Sequence, residues 1–485
     1  MLQETGHYTI SKQQSDAFAK LSGDYNPLHV DAVYARRLQF GHPVIHGIHH
    51  LLSTWDAVNI AELQQGSPVQ LQLSELVATF PNPVRAGQRI DYRCELFPEQ
   101  RSAMISAVCE DQRILSLRLK FSTDDRAVPG AFLPTCPPKE TPVHQDFPLT
   151  HDSGQCQLYL DQSLGKQLFP NLMRYVLPQQ LAQIIACTRI VGMKCPGLNS
   201  IFAGIRLNFN ADIAGSGGGE DEIRFSVTYR DERVKMLKID VEGKGMKGML
   251  DTFLRPAPVK QPSYAEVCAT VTGSRFATQR ALVVGGSRGV GEITAKLLSA
   301  GGADVIITYH QGLEEAENVT KEIIDGGGRC RAVSLDTNAL SEESQILFGT
   351  QLPTHIYYFA SPHISLNRTR IWNAALFNQF CQFYLDAFAG LVSLYAGHAS
   401  QSGVSLTFFY PSTVFIEKPE KGFAEYAVAK GAGEALCRQL EVRYPGIQFF
   451  MPRLPRMSTD QTSSIIPIKC ESVLDVMRGE LNNVK

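Results

Sequence analysis

Asp24-Tyr-Asn26-Pro27-Leu-His29 puts a carboxylate and an imidazole on either side of an Asn-Pro pair. At that offset two helical side chains would stand about 140° apart around the axis, and on a strand they would face opposite ways. Asn-Pro breaks a helix and starts a turn, so the spacing predicts a bend that can aim both groups at one point. An acid/base pair acting on one water needs that convergence. The plain alternative is a loop with a polar Asp and an unrelated His. A second chemistry is written toward the other end, where Gly285, Gly289 and Gly291 are spaced G-x3-G-x-G after the apolar run ALVV. A glycine turn between strand and helix lets the backbone approach a pyrophosphate, with the helix dipole behind it. Further on, Tyr426 and Lys430 are spaced Y-x3-K, which on a helix puts both on one face. Alone, that spacing is chance-level in a chain of 485 residues.

These groups need elements to hold them. The chain is too long for one core and suggests about three domains. Apolar content of 44% with 19% charged residues is ordinary for a globular protein. A net charge of −2 leaves no electrostatic footprint for nucleic acid. The first residues lack an apolar signal core, and no apolar run is long enough to span a bilayer, so a membrane partner is not expected. Eleven scattered cysteines without a CxxC read as reduced thiols in the cytoplasm.

Pro-rich stretches at 128–142 and 255–262 divide the sequence into segments of roughly 125, 110 and 215 residues. The expected layout is 1–125, a linker 126–150, a second unit 151–257, a linker 258–275 and a third unit 276–485. In the first segment a helix begins at Gly47, and strands are expected near 69–80, 88–97, 102–109 and 112–122. The second repeats that outline, with a helix opened by Pro178, a turn at Pro196-Gly197, a strand from Ser200, a loop from Gly215, and strands EIRFSVTYRD and VKMLKIDVEGKG. It has no copy of the Asp-x-Asn-Pro-x-His pattern. His151 and Asp152 are its candidates for an independent site, with an ordinary loop as the alternative.

Phe18-Ala19, Leu21-Ser-Gly-Asp24, Asn26-Pro27-x-His29, Phe40-Gly41 and Ile45-His46-Gly47 together resemble the signature of the MaoC-like, (R)-specific enoyl-CoA hydratase family. The resemblance implies a hot-dog fold and reversible addition of water to a 2-enoyl thioester. It implies that Asp24 and His29 hold and activate the water, while the Gly47 amide polarises the thioester carbonyl. A helix N-terminus suits a developing enolate oxygen. The second segment then looks like a motif-less hot dog completing a substrate tunnel. His42, His46, His49 and His50 invite a metal reading, but no ligand set has zinc-like spacing; they are expected to line or flank the pocket mouth, with no metal.

The C-terminal segment resembles the short-chain dehydrogenase/reductase family. The likeness implies cofactor contacts from Gly285, Ser287, Arg288, Gly289, Val290, Gly291 and Asp336. Arg288, with no acidic residue in Thr308-Tyr309-His310, favours NADP(H). Tyr426 would donate the proton, and Lys430 would lower its pKa and bind the nicotinamide ribose. Ser412 would hold the substrate oxygen, with Thr413 a competing assignment because the usual spacing is thirteen. The family's Asn-Asn-Ala-Gly appears as Phe359-Ala-Ser-Pro362, the helical Asn of its proton relay is missing near Asp386-Ala387, and Arg453 stands where a glycine is usual.

The fold class expected is an α+β double hot dog followed by an α/β Rossmann-type doubly wound parallel sheet. The function implied is NADPH-dependent reduction of a 3-oxoacyl thioester to the (3R)-hydroxyacyl form, then dehydration to the trans-2-enoyl thioester, in fatty-acid or polyketide-type synthesis. The substrate carrier would be CoA or acyl carrier protein, and a homodimer is the expected assembly. Arg36, Arg37 and Lys120 could greet phosphopantetheine or be surface charges. Two alternatives stand: the same modules run degradatively, or a hydratase carrying a non-catalytic reductase-fold scaffold.

Overall fold

The computed structural model describes all residues except 60–70, 123–132, 210–220, 368–370, 404, 466–467 and 485. The loop expected from Gly215 and part of the 126–150 segment lie outside the described residues. The chain divides into two compact units, one made chiefly of Met1–Ala257, the other of Pro258–Ser463 and Ile468–Lys485.

The first unit is built on a ten-stranded antiparallel sheet. Its strands are β1 (Leu2–Thr9), β2 (Leu73–Thr79), β3 (Arg89–Phe97), β4 (Ser102–Cys109), β5 (Gln112–Phe121), β6 (Ser153–Gln157), β7 (Ser200–Phe209), β8 (Glu222–Asp231), β9 (Met236–Gly243) and β10 (Met246–Leu254). Their order across the sheet is β1-β3-β4-β5-β2-β7-β10-β9-β8-β6. The second half of that order mirrors the first, so each half is the same five-strand path. The halves join where β2 pairs with β7, for example Leu76 with Leu207. Burial alternates along β3 and β4, as one covered face requires.

Each half lays a helix on that covered face. Gly47–Ala57 buries Ile48, Leu51, Leu52 and Trp55. Pro178–Arg189 starts on a proline, whose fixed φ and missing N–H suit the first helical turn. It is buried nearly all round from Gln180 to Arg189 and runs into a π-turn at Ile190–Lys194. Both helices belong to one hydrophobic core that crosses the two halves.

The second unit has a six-stranded parallel sheet of β11 (Arg280–Val284), β12 (Asp304–Tyr309), β13 (Arg329–Ser334), β14 (His355–Tyr358), β15 (Leu406–Phe409) and β17 (Ile447–Phe450), in the order β13-β12-β11-β14-β15-β17. That is the 3-2-1-4-5-6 order of a doubly wound dinucleotide-binding sheet. Alternate residues of β11 enter two separate cores: Ala281 and Val283 on one face, Leu282 and Val284 on the other. A short parallel pair, β16 (Ser412–Thr413) with β18 (Arg453–Leu454), extends beyond the sheet.

Neither expected linker is a free tether. Residues 258–275 include a helix, Tyr264–Cys268, whose Tyr264 and Val267 enter the second unit's core. From Leu133 onward the first Pro-rich stretch packs on its unit, where Val143 exchanges backbone hydrogen bonds with Met193 and Leu198. No helix among the described residues is long and apolar enough to cross a membrane.

Candidate active sites

The predicted bend is made by three local devices. Gly23 ends the Lys12–Ser22 helix at φ 72°, a left-handed conformation that favours glycine. Asn26 caps the next short helix, Pro27–Val30, by accepting from the Leu28 N–H. Asp24 lies between them, and its Oδ1 accepts from the Asn26 N–H at 3.1 Å. His29 falls inside the capped turn and donates from Nδ1 to the Val44 carbonyl at 2.7 Å. A carbonyl only accepts, so the neutral ring is held with its Nε2 lone pair open.

Ligand atoms of Asp24, His29 and His46 lie within 4.8 Å of one another. Two acceptors sharing one water at ordinary hydrogen-bond lengths stand about 4.4 Å apart. Burial raises the Asp24 pKa, opposed by His29, the Thr188 hydroxyl, the Asn26 amide and Arg189. Burial lowers that of His29, opposed by Asp24 and the Val44 bond. Burial thus opposes the charged form of both groups, and each favours the charged form of the other. Gly47 is the first residue of its helix, where amides lack intrahelical partners. A methyl group there would meet the Phe80 ring at 3.2 Å.

The other histidines do not flank a mouth. His46 is buried, stacks on His29 with ring centres 3.8 Å apart, and donates from Nε2 to the Asp24 carbonyl at 3.0 Å. His49 stacks on Phe18 and His50 packs on Phe80; burial drives their pKa values down to about 3 and about 4. They are neutral core residues, and only His42 is half-exposed.

Sequence reasoning missed what the second half contributes. Thr188 donates to Asp24 Oδ2 at 2.7 Å. The Asn26 amide group donates to the Gly192, Gly197 and Leu198 carbonyls at 2.9, 3.2 and 3.2 Å. No motif marked these residues, although a Thr-Arg pair in so apolar a helix is a weak signal. His151 and Asp152 are not brought together as a site: His151 meets Thr150, and exposed Asp152 pairs with Arg230. Lys120 pairs with Glu75 on the surface.

In the second unit Gly285 and Gly289 adopt φ of 81° and 59°, and a methyl on Gly291 would come within 2.2 Å of the Gly285 carbonyl oxygen. The turn therefore requires these glycines. The Gly285 N–H is held by the Thr308 hydroxyl. Ser287 is buried, and Val290 packs against the core behind the turn. Arg288 pairs with Asp460 at 3.6 Å. Asp336 follows β13, accepts from the Asn338 N–H and lies 3.9 Å from His310.

The groups expected at the proton-donating end have partners of their own. Ser412 donates to Glu434 at 2.5 Å, a carboxylate also gripped by Arg453. Thr413, the next residue of β16, accepts from the Phe415 N–H at 3.3 Å. Lys430 is buried. Its ammonium donates to the Pro411 carbonyl at 2.7 Å and sits 3.8 Å over the Tyr384 ring. Burial brings Lys430 down to about 7 and pushes Tyr426 up to about 12. The helix carrying the missing Asn is broken by a π-turn at Gln382–Ala387. Its Tyr384 hydroxyl meets Ser361 at 2.7 Å, and its ring lies 5.9 Å from that of Tyr426.

Asp24 with the half-buried His29 in one unit, and a glycine turn with a Tyr-x3-Lys helix on a doubly wound sheet in the other, are the two candidate sites. Known proteins match parts of the chain. Residues 2–114 match the family described as MaoC like domain. The chain is 30% identical over 105 residues to a 3-hydroxybutyryl-CoA dehydratase of Methylorubrum extorquens, covering 21% of this chain and 63% of that protein. It is 41% identical over 69 residues to a 3-oxoacyl-[acyl-carrier-protein] reductase of Synechocystis, covering 14% of this chain and 28% of that protein. A solved short chain dehydrogenase from Salmonella enterica is 17% identical, with a TM-score of 0.39, covering 44% of this chain and 92% of its own. The chain spans about a quarter of the curated oxidoreductases it matches and under two thirds of the dehydratase.

Proposed function

We propose that the chain is a bifunctional enzyme of acyl-thioester metabolism, with a double hot dog that handles water and a reductase unit that uses NADP(H). The reductase converts a 3-oxoacyl thioester to the (3R)-hydroxyacyl thioester, and the Asp24/His29 site removes water to give the trans-2-enoyl thioester. The two steps share one intermediate, which favours chain building of the fatty-acid or polyketide type in the cytoplasm, on CoA or acyl carrier protein. The observation that carries the reading is the approach of the Asp24 carboxylate to the His29 ring, whose ligand atoms lie within 4.8 Å of one another. In hydration both accept from one water, its oxygen adds to C3, and the proton taken up is returned to C2. Dehydration runs the same steps backward. Amides at the Gly47 helix start face the thioester oxygen as it gains charge.

NADPH, when bound, supplies the hydride for the reduction. Arg288 beside the glycine turn, and the absence of a carboxylate at the end of β12, support a 2′-phosphate partner over a free ribose hydroxyl. Tyr426 gives its proton to the substrate oxygen. The burial of Lys430 against Pro411 favours a second reading, in which the reductase fold binds without turnover. Purified chain with NADPH and acetoacetyl-CoA separates the two: nucleotide oxidation supports the bifunctional enzyme, and hydration of crotonyl-CoA without it supports the scaffold.

A further inference from the structure

We infer that the half without an Asp-His turn is a working part of the first site: Thr188 and Gly192 position the Asp24 carboxylate. The inference rests on reading Asp24 and His29 as the water-handling pair, and it gives the second half a task beyond completing a tunnel. Thr188 and Asp24 are both buried, 3% and 1% exposed, and their oxygens are 2.7 Å apart. An ionised carboxylate can only accept, so the hydroxyl donates and favours the charged form.

Gly192 works by absence. The π-turn at Ile190–Lys194 brings its backbone so close that a methyl group would fall 2.4 Å from Asp24 Oδ1 and 2.5 Å from Oδ2. The same residue's carbonyl takes the Asn26 amide at 2.9 Å, locking the turn that carries His29. One short stretch thus fixes the carboxylate from one side and its turn from the other. The other charged or titratable groups facing Asp24 are His29, His46, whose Nε2 lies 3.9 Å from Oδ2, and Arg189. Arg189 is held by the Cys156 sulfur and the Gln157 carbonyl, with Tyr159 beneath it. It contributes charge and no bond to Asp24, which leaves Thr188 as the side-chain donor.

The test uses full-length chain carrying Thr188→Val, Thr188→Ser or Gly192→Ala, with thermal melting to verify folding. Two readouts are taken: the pH profile of crotonyl-CoA hydration, and an infrared titration of the Asp24 carboxyl by difference against Asp24→Asn. Loss of one charge-assisted bond should move the acid limb and the infrared midpoint of Thr188→Val up by about one pH unit. Thr188→Ser should restore both, and Gly192→Ala should lower kcat at least tenfold. An infrared midpoint unchanged in folded Thr188→Val overturns the inference. Wild-type hydration in Asp24→Asn would instead sink the underlying reading, and the infrared midpoint would still decide on Thr188.

Discussion

At the scale of residues, burial sets the protonation states on which both sites depend. Asp24 is raised and His29 lowered, so hydration needs a carboxylate that protonates sooner on acidification than an exposed one. The rate of hydration should therefore fall as pH drops through a point above the usual carboxylate range. Asp24→Asn should cost about 10²-fold or more while leaving nucleotide oxidation intact. Lys430 gives a stability prediction of definite sign. Its folded pKa, about 7, is below the ordinary 10.5, so above pH 7 the unfolded chain holds the extra proton. Stability relative to Lys430→Met should then rise with pH, by about 1.4 kcal/mol per unit at most between pH 7 and 9. Thermal melts of both proteins check it; a flat difference would mean Lys430 is solvated. Spacing made the Asp-His pair and the Tyr-Lys helix legible. It could not show that Ser412 is tied to Glu434, because Glu434 and Arg453 are brought to β16 from elsewhere in the chain.

At the scale of elements, what sequence disclosed best were the strands with apolar alternation and the helix opened by Pro178. β1 and β6 were hidden. They are edge strands of polar residues, LQETGHYT and SGQCQ, and their pairing comes from β3 and β8 rather than from any pattern of their own. The mirrored strand order was equally illegible, since it depends on β2 meeting β7. The π-turns left no mark either, yet one admits Asp24 and the other presents Tyr384. The glycine turn is the element most open to a direct test. Gly291→Ala would drive a methyl into the Gly285 carbonyl and should weaken NADPH binding at least tenfold by fluorescence titration. Crotonyl-CoA hydration should be unchanged in the same preparation; loss of hydration as well would show that the change unfolds more than the turn.

At the scale of the whole molecule, two units have their own cores, and the proposed function gives each its own chemistry. Calorimetry should show NADPH raising the unfolding temperature of the parallel-sheet unit. At a hundred times Kd that is about 2.7 kcal/mol of added stability, and Gly291→Ala should remove it. The Pro-rich run 255–262 lies where the two units meet in the chain, at Ala257 and Pro258. That residues 258–275 fold onto the second core was not legible, because Tyr264 and Val267 are too sparse a pattern to announce a helix.

The most direct test of the bifunctional reading is one reaction mixture of full-length chain, NADPH and acetoacetyl-CoA, with nucleotide oxidation and acyl products followed together. The wild type should consume NADPH, accumulate (3R)-hydroxybutyryl-CoA and carry part of it on to crotonyl-CoA. Asp24→Asn should stop at the hydroxyacyl thioester, and Tyr426→Phe should leave acetoacetyl-CoA untouched while still hydrating crotonyl-CoA. Robust hydration with no NADPH oxidation on any 3-oxoacyl thioester would contradict it.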